Sequence, residues 1–147
     1  MKLSTKARYG VRAMLSLALD YGNGPVSLKE VAQHQGLSEK YLEHLVMALK
    51  TAGLVRSIRG KHGGYTLART PSQINLKEIV GALEGSIAPV DCLNDAGLCE
   101  HSGGCVTRQV WEKMLQAMND VLQSTTLQSL VEQHSQYEQS KGAMYTI

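Results

Sequence analysis

The residues of this chain best equipped for chemistry are its three cysteines, Cys92, Cys99 and Cys105, which fall within fourteen positions. A free cysteine is ordinarily buried as a small hydrophobe. These three stand among Asp91, Asn94, Asp95, Gly97, Ser102, Gly103 and Gly104, a setting that builds no core. Thiolates held so close repel one another unless a cation lies between them, and soft thiolates suit an iron–sulfur cluster, Zn or Cu(I). The gaps are wider than the short paired spacings usual in structural zinc sites. Cys105 precedes a helical pattern, where the helix dipole favours a thiolate. The spacing alone also admits a thiol redox sensor or unligated surface cysteines.

A second group of residues suits nucleic acid. Ser27 with Glu30 has the form of a capping box, followed by apolar Leu28, Val31 and Ala32 and a stop at Gly36. Ser38 then caps a helix with Tyr41, Leu42, Leu45, Val46 and Leu49 along one side, ended by Gly53. Two short capped helices joined through a glycine make a helix-turn-helix. Its second helix enters the major groove N-terminus first, which brings Ser38, Glu39, Lys40, Tyr41, Glu43 and His44 to the duplex. Glu43 can accept from a cytosine N4 amine, and His44 can donate to a purine N7 or O6. Residues 54–59 and 65–68 read as strands around Gly60–Lys61–His62–Gly63–Gly64, a hairpin with a glycine-rich tip. The unit is therefore a winged helix-turn-helix, with Lys61 at the tip and Arg59 placed for a minor groove. The tip lacks the Gly-Lys-Ser/Thr ending and the following helix of a phosphate-cradling loop.

Charge agrees with this reading. Residues 1–78 carry 12 Lys/Arg against 5 Asp/Glu, a net +7, and residues 79–147 carry 3 against 8, a net −5. A basic front half is the electrostatic footprint of a nucleic-acid binder. The length, 147 residues, points to one domain or one small domain plus an arm. With no Phe and one Trp the core must be aliphatic, and a monomer of this size with long exposed helices is short of buried area, which favours a dimer.

Other classes are excluded. No stretch approaches the ~18–20 apolar residues that span a bilayer, so no membrane partner is expected. The predicted helix over 5–21, capped by Ser4 or Thr5 and carrying Val11, Met14, Leu15, Ala18 and Leu19, loosely imitates a signal peptide. Ser16 interrupts it and no cleavage site follows Asp20, so a cytoplasmic location is expected. An odd number of cysteines does not fit a secreted disulfide framework. No catalytic or dinucleotide-binding motif is present and the five His are scattered, so an enzyme is not expected.

The predicted class is mainly α with a small β-hairpin. Asn75 caps a helix bearing Leu76, Ile79, Val80 and Leu83 and ending at Gly85, which completes a winged domain over 1–85. Residues 86–105 are aperiodic and hold the cysteines; so long an irregular stretch is usually functional or disordered. From Val106 to Ser124, Val110, Trp111, Met114, Met118, Val121 and Leu122 recur at helical steps. This reads as a dimerisation helix, since paired domains match two-fold DNA sites. Thr125 with Gln128 predicts a capping box opening a short helix to about 133, and 134–147 reads as a polar tail.

Several stretches together resemble a known family: Lys2–Leu3–Ser4–Thr5–Lys6 with Arg8–Tyr9, Leu37–Ser38–Glu39–Lys40–Tyr41–Leu42–Glu43, Arg59–Gly60 with Gly63–Gly64–Tyr65, and three cysteines ahead of a Trp-bearing helix. The order is similar, over almost the whole chain, to the iron–sulfur-cluster regulators of the IscR, NsrR and RirA type, IscR above all. The resemblance implies a homodimeric transcription factor on a palindromic promoter duplex, with Lys2 added to the DNA-contacting set. It implies a [2Fe-2S] cluster on Cys92, Cys99 and Cys105, or [4Fe-4S] as in the NsrR and RirA types, sensing iron–sulfur or redox status. The position of the IscR-type His ligand is Arg108 here, a guanidinium that stays protonated, and the position of the NsrR-type Asp is Arg8. A fourth ligand is then expected from Asp95, Glu100, His101 or the partner subunit. The ending Ala143–Met144–Tyr145–Thr146–Ile147 resembles that of CymR, a cluster-free cysteine-metabolism repressor of the same family. It implies an alternative: a repressor acting through a partner enzyme, with the cysteines as thiol sensor or Zn site.

Overall fold

Ser4 opens the first helix. Its Oγ accepts from the Ala7 N–H at 3.1 Å, and α1 runs Thr5–Leu19 in this computed structural model, which describes residues 2–145. The buried stripe of α1 is rotated from the expected one: Ala7, Gly10, Ala13, Met14, Leu17 and Ala18 face the core and Leu19 is exposed. Ser16, which looked like an interruption, is buried. Its Oγ accepts from Gln35 Nε2 at 2.9 Å, so the hydroxyl is satisfied inside.

The helix-turn-helix forms as the caps predict. α2 spans Leu28–Gln35 and α3 spans Glu39–Thr51, with Ser27 and Ser38 each accepting a backbone N–H at 3.2 Å. Gly36 closes α2 in the left-handed conformation (φ 65°), which a side chain would resist. The full reciprocal box sits instead at α4, Leu76–Glu84, where Asn75 and Glu78 each satisfy the other's backbone N–H.

Between α3 and α4 lies the wing. β1 (Val55–Ile58) and β2 (Gly64–Leu67) pair antiparallel from Val55↔Leu67 to Ile58↔Gly64. The hairpin is lashed to the α1–α2 connector by a two-bond bridge, Val26 N to Tyr65 O at 2.9 Å and Tyr65 N to Val26 O at 2.8 Å. Gly64 makes that approach feasible, because a Cβ there would run into the Val26 carbonyl. Lys50 Nζ donates to Ser57 Oγ at 2.9 Å and ties α3 to β1. The core is aliphatic, as the missing Phe requires, with Met14, Leu42, Leu45, Leu49, Ile79 and Leu127 at its centre.

Beyond Gly85 the chain runs irregularly through two short 3-10 turns, Asp91–Leu93 and Ala96–Leu98, into α5 (Val106–Ser124). Among the described residues, α5 buries none of its nineteen. The last helix corrects the sequence expectation: α6 runs Leu127–Tyr145, through the segment expected as a tail. The polar run from Gln133 shows no apolar stripe, but Gln133, Gln136, Glu138, Gln139 and Lys141 are good helix formers and it meets no Gly or Pro before Gly142. The cap is also displaced by one residue. Thr126 Oγ1 accepts from Ser129 N at 3.1 Å, while Thr125 Oγ1 donates back to Val121 O at 2.7 Å. Of the apolar ending, Thr146 and Ile147 lie outside the described residues, and Ala143, Met144 and Tyr145 are described only as backbone. A second bridge, Leu76 N to Thr125 O and Leu127 N to Ile74 O, both 2.9 Å, anchors the α5–α6 junction to the start of α4. No described helix is long and apolar enough to cross a membrane.

Candidate nucleic-acid interface and cysteine loop

Burial of Leu42, Leu45, Val46 and Leu49 turns the opposite side of α3 to solvent, and Lys40, Glu43 and His44 are exposed on it. Tyr41 is half-buried. Its ring meets Tyr9 of α1 edge-to-face, centroids 6.2 Å apart and planes at 89°, a favoured aromatic geometry. Arg12 lies over the Tyr9 ring at 5.3 Å and donates to Gln35 Oε1 at 2.7 Å. Tyr9 therefore packs the Tyr41 ring onto α1, and Arg12 links Tyr9 to the end of α2. The sequence gives neither a role at this face, Tyr9 entering only within the family-like stretch; the available signal was their three-residue spacing on one helix. Ser38 is exposed, but its oxygen is taken up by the Tyr41 N–H, which leaves the hydroxyl proton to donate.

Arg59 and Lys61 are exposed at the wing tip. Gly63 N donates to Gly60 O at 3.0 Å to close the turn, and a Cβ on Gly63 would strike the Ile58 carbonyl. Lys2 lies beside the end of α4. Ser4 N donates to Glu84 Oε1 at 2.6 Å, which pins the chain start to the end of α4, and Lys2 borders a hollow with Glu84, Ser86 and Met118. The same backbone bond holds the Glu84 carboxyl below its ordinary value.

The three cysteines are half-buried and unpaired. Cys105 caps the N-terminus of α5, its Sγ 3.1 Å from Thr107 Oγ1. That hydrogen bond, followed by the Arg108 N–H, pulls the thiol below its ordinary value. Cys92 lies in the first 3-10 turn, where its carbonyl accepts from an Arg108 guanidinium nitrogen at 3.4 Å. Cys99 ends the second turn. Arg108 also pairs with Glu112 at 3.0 Å, and its Nε is buried without a partner. By donor type the set fits an iron–sulfur cluster or another soft metal. By placement the thiols sit on two 3-10 turns and the N-cap of α5. Among the described residues no group of three His, Cys, Asp or Glu side chains stands close enough to hold a metal ion, so Asp95, Glu100 and His101 do not complete a ligand set either.

Comparisons with known proteins agree with this geometry. The family model Rrf2, described as iron-dependent transcriptional regulator, matches residues 3–133. The HTH-type transcriptional regulator CymR of Bacillus subtilis is 47% identical over 130 residues, 88% of this chain and 89% of that protein. The solved structure of CymR, titled the global cysteine regulator of B. subtilis, superposes with a TM-score of 0.77 at 46% identity, covering 90% of this chain and 97% of that one. The structure of T. potens IscR superposes with a TM-score of 0.80 at 43% identity, covering 99% and 96%.

Proposed function

Because the chain belongs to the Rrf2 family of DNA-binding transcriptional regulators, we propose that two copies of it grip a palindromic promoter duplex through α3 and the wing, and that the loop Cys92–Cys105 governs the grip. The observation that carries this reading is the junction of loop and helix: the cysteine loop ends on the N-terminus of a nineteen-residue helix with no buried residue. Val106, Val110 and Val121 of that helix are exposed and apolar, and a second α5 is the partner that would cover them. Lys40, Tyr41, Glu43 and His44 read base edges. Arg59 and Lys61 serve the groove and backbone beside them, and Lys2, from the end of α4, reaches phosphates outside the half-site centre.

Cys92, Cys99 and Cys105 would hold the sensor group, for which a [2Fe-2S] cluster is our leading assignment. Bound there, it supplies a tie between loop and helix that depends on iron and oxidation state. The protein's own part is to present three thiols, one already lowered at the helix terminus, and to pass loop position to α5.

The test is anaerobic purification with absorption spectroscopy, iron and sulfide analysis, and duplex binding by the full-length protein and Cys92→Ala. A coloured, iron- and sulfide-bearing protein whose DNA affinity changes on cluster loss supports the reading. A colourless, iron-free protein whose Cys92→Ala variant binds and regulates normally overturns the cluster assignment. Affinity should fall by ~0.9 in log K per neutralised phosphate as log salt rises, and a flat response would overturn DNA gripping itself.

A second reading is favoured by the separation of the thiols and by Arg108 lying on the Cys92 carbonyl. Here the thiols sense oxidation directly, and a partner enzyme engages the C-terminal residues. Pull-down with and without residues 140–147 separates the two.

A further inference from the structure

The outward side of α3 carries one large apolar side chain. Met47 is 63% exposed, while Leu42, Leu45, Val46 and Leu49 of the same helix are buried. At roughly 100° per residue, Met47 lies about 30° from the direction opposite that buried stripe, near the centre of the exposed face. It follows His44 by three positions and Glu43 by four, so it shares their face one turn further along. Its neighbours are otherwise engaged: Lys50 Nζ donates to Ser57, and Thr51 Oγ1 donates to the Met47 carbonyl at 2.9 Å.

A lone exposed hydrophobe is common on protein surfaces. This one occupies the middle of the face that, on the function proposed above, seats in the major groove. A thioether carries no hydrogen-bond donor and only a weak acceptor, so it can discriminate there only by apolar contact. The one apolar group on the groove floor is the 5-methyl of thymine. The side chain is unbranched and flexible enough to settle on it. We propose that Met47 is a specificity-determining residue that packs on a thymine methyl in each half-site, beside the bases met by Glu43 and His44. The inference rests on α3 being the reading helix.

The test uses full-length protein and binding sites enriched from a randomised duplex pool. Each thymine of the enriched site is replaced in turn by deoxyuridine, which removes the methyl and nothing else. Wild type is expected to lose about fourfold in affinity at one thymine per half-site, the equivalent of ~0.8 kcal/mol for one buried methyl. Met47→Ala is expected to bind the thymine and deoxyuridine duplexes equally. Its side chain is exposed, so its circular dichroism and its binding to a random-sequence duplex should match wild type, which separates lost reading from lost folding. If wild type is indifferent to every deoxyuridine, or if Met47→Ala remains as sensitive as wild type, the inference is overturned while the reading helix stands. If no sequence enriches at all, the reading helix fails and the inference fails with it.

Discussion

Substituting Gly64 by alanine tests the most consequential packing contact in the wing. The added Cβ would meet the Val26 carbonyl oxygen and carbon, with Ser27 N at 3.1 Å, and all three are backbone atoms that cannot swing aside. Either the hairpin or the α1–α2 connector must move, and the Val26–Tyr65 bridge is the contact in the way. That bridge holds two backbone hydrogen bonds of 2.9 and 2.8 Å, each contributing about 0.5–1.5 kcal/mol net. Forcing extra volume into a packed site costs roughly 1–3 kcal/mol. Since breaking the bridge relieves part of the crowding, the combined loss should be about 2–4 kcal/mol, or about 5–15 °C in melting temperature for a chain of this size. The assay is urea unfolding at fixed protomer concentration, reading the midpoint at unchanged slope. Gly81→Ala is the matched control. Nothing lies within 4 Å of its ideal Cβ and it sits inside α4, so it should be neutral or stabilising by up to ~1 kcal/mol. A Gly64→Ala variant within ~0.5 kcal/mol of wild type, or a Gly81→Ala variant that falls as far, would refute the reasoning. The freed wing should also weaken duplex binding and shallow its salt slope, because Arg59 and Lys61 ride on it.

Further outcomes follow from the same structure. Burial works against ionisation of Glu78, yet the Arg69 hydrogen bond at 2.7 Å, the Asn75 N–H and the Arg69 charge together hold its carboxyl below the ordinary 4.5. A depressed carboxylate stabilises the fold above its unfolded value and loses that contribution as pH falls through the folded one. Stability should therefore drop below about pH 4.5, and Glu78→Gln should flatten that limb in a pH series of urea midpoints; an unchanged limb would contradict the assignment. The lowered Cys105 thiol should alkylate at a pH below that of an ordinary thiol. Thr107→Val, which removes the 3.1 Å contact, should move its pH profile upward by mass-spectrometric labelling, while an unmoved profile would point to another cause. Val110→Asp combined with Val121→Asp should shift the protein toward monomer in analytical ultracentrifugation and weaken duplex binding; a persistent dimer would place the contact elsewhere than on α5.

Much of the architecture is legible in short stretches of sequence. Ser27, Ser38 and Asn75 announce helix starts because a cap satisfies N–H groups two or three residues away. Gly36 announces a stop because the left-handed residue it supplies belongs to the same turn. The helix-turn-helix, the hairpin and the soft-donor character of the Cys92–Cys105 loop all rest on such neighbours. The extent of α6 is not legible because its continuation depends on helix propensity without an apolar stripe, and the buried side of α1 is not legible because partners far along the chain set it, as where Gln35, nineteen residues away, satisfies the Ser16 hydroxyl.

By itself, then, the sequence determined which residue types suit a duplex or a soft metal, and which local elements carry them, because capping, periodicity and glycine backbone freedom act over a few residues. Only the tertiary structure decided which of those residues share a surface. Ser4 on Glu84 brings Lys2 to the hollow at the end of α4, Tyr65 on Val26 sets the wing beside the helix pair, and Tyr9 packs on the Tyr41 ring. The three thiols stand on separate segments, two 3-10 turns and the N-cap of α5. Contacts of this kind join positions far apart in the chain, where no short window of sequence records the approach.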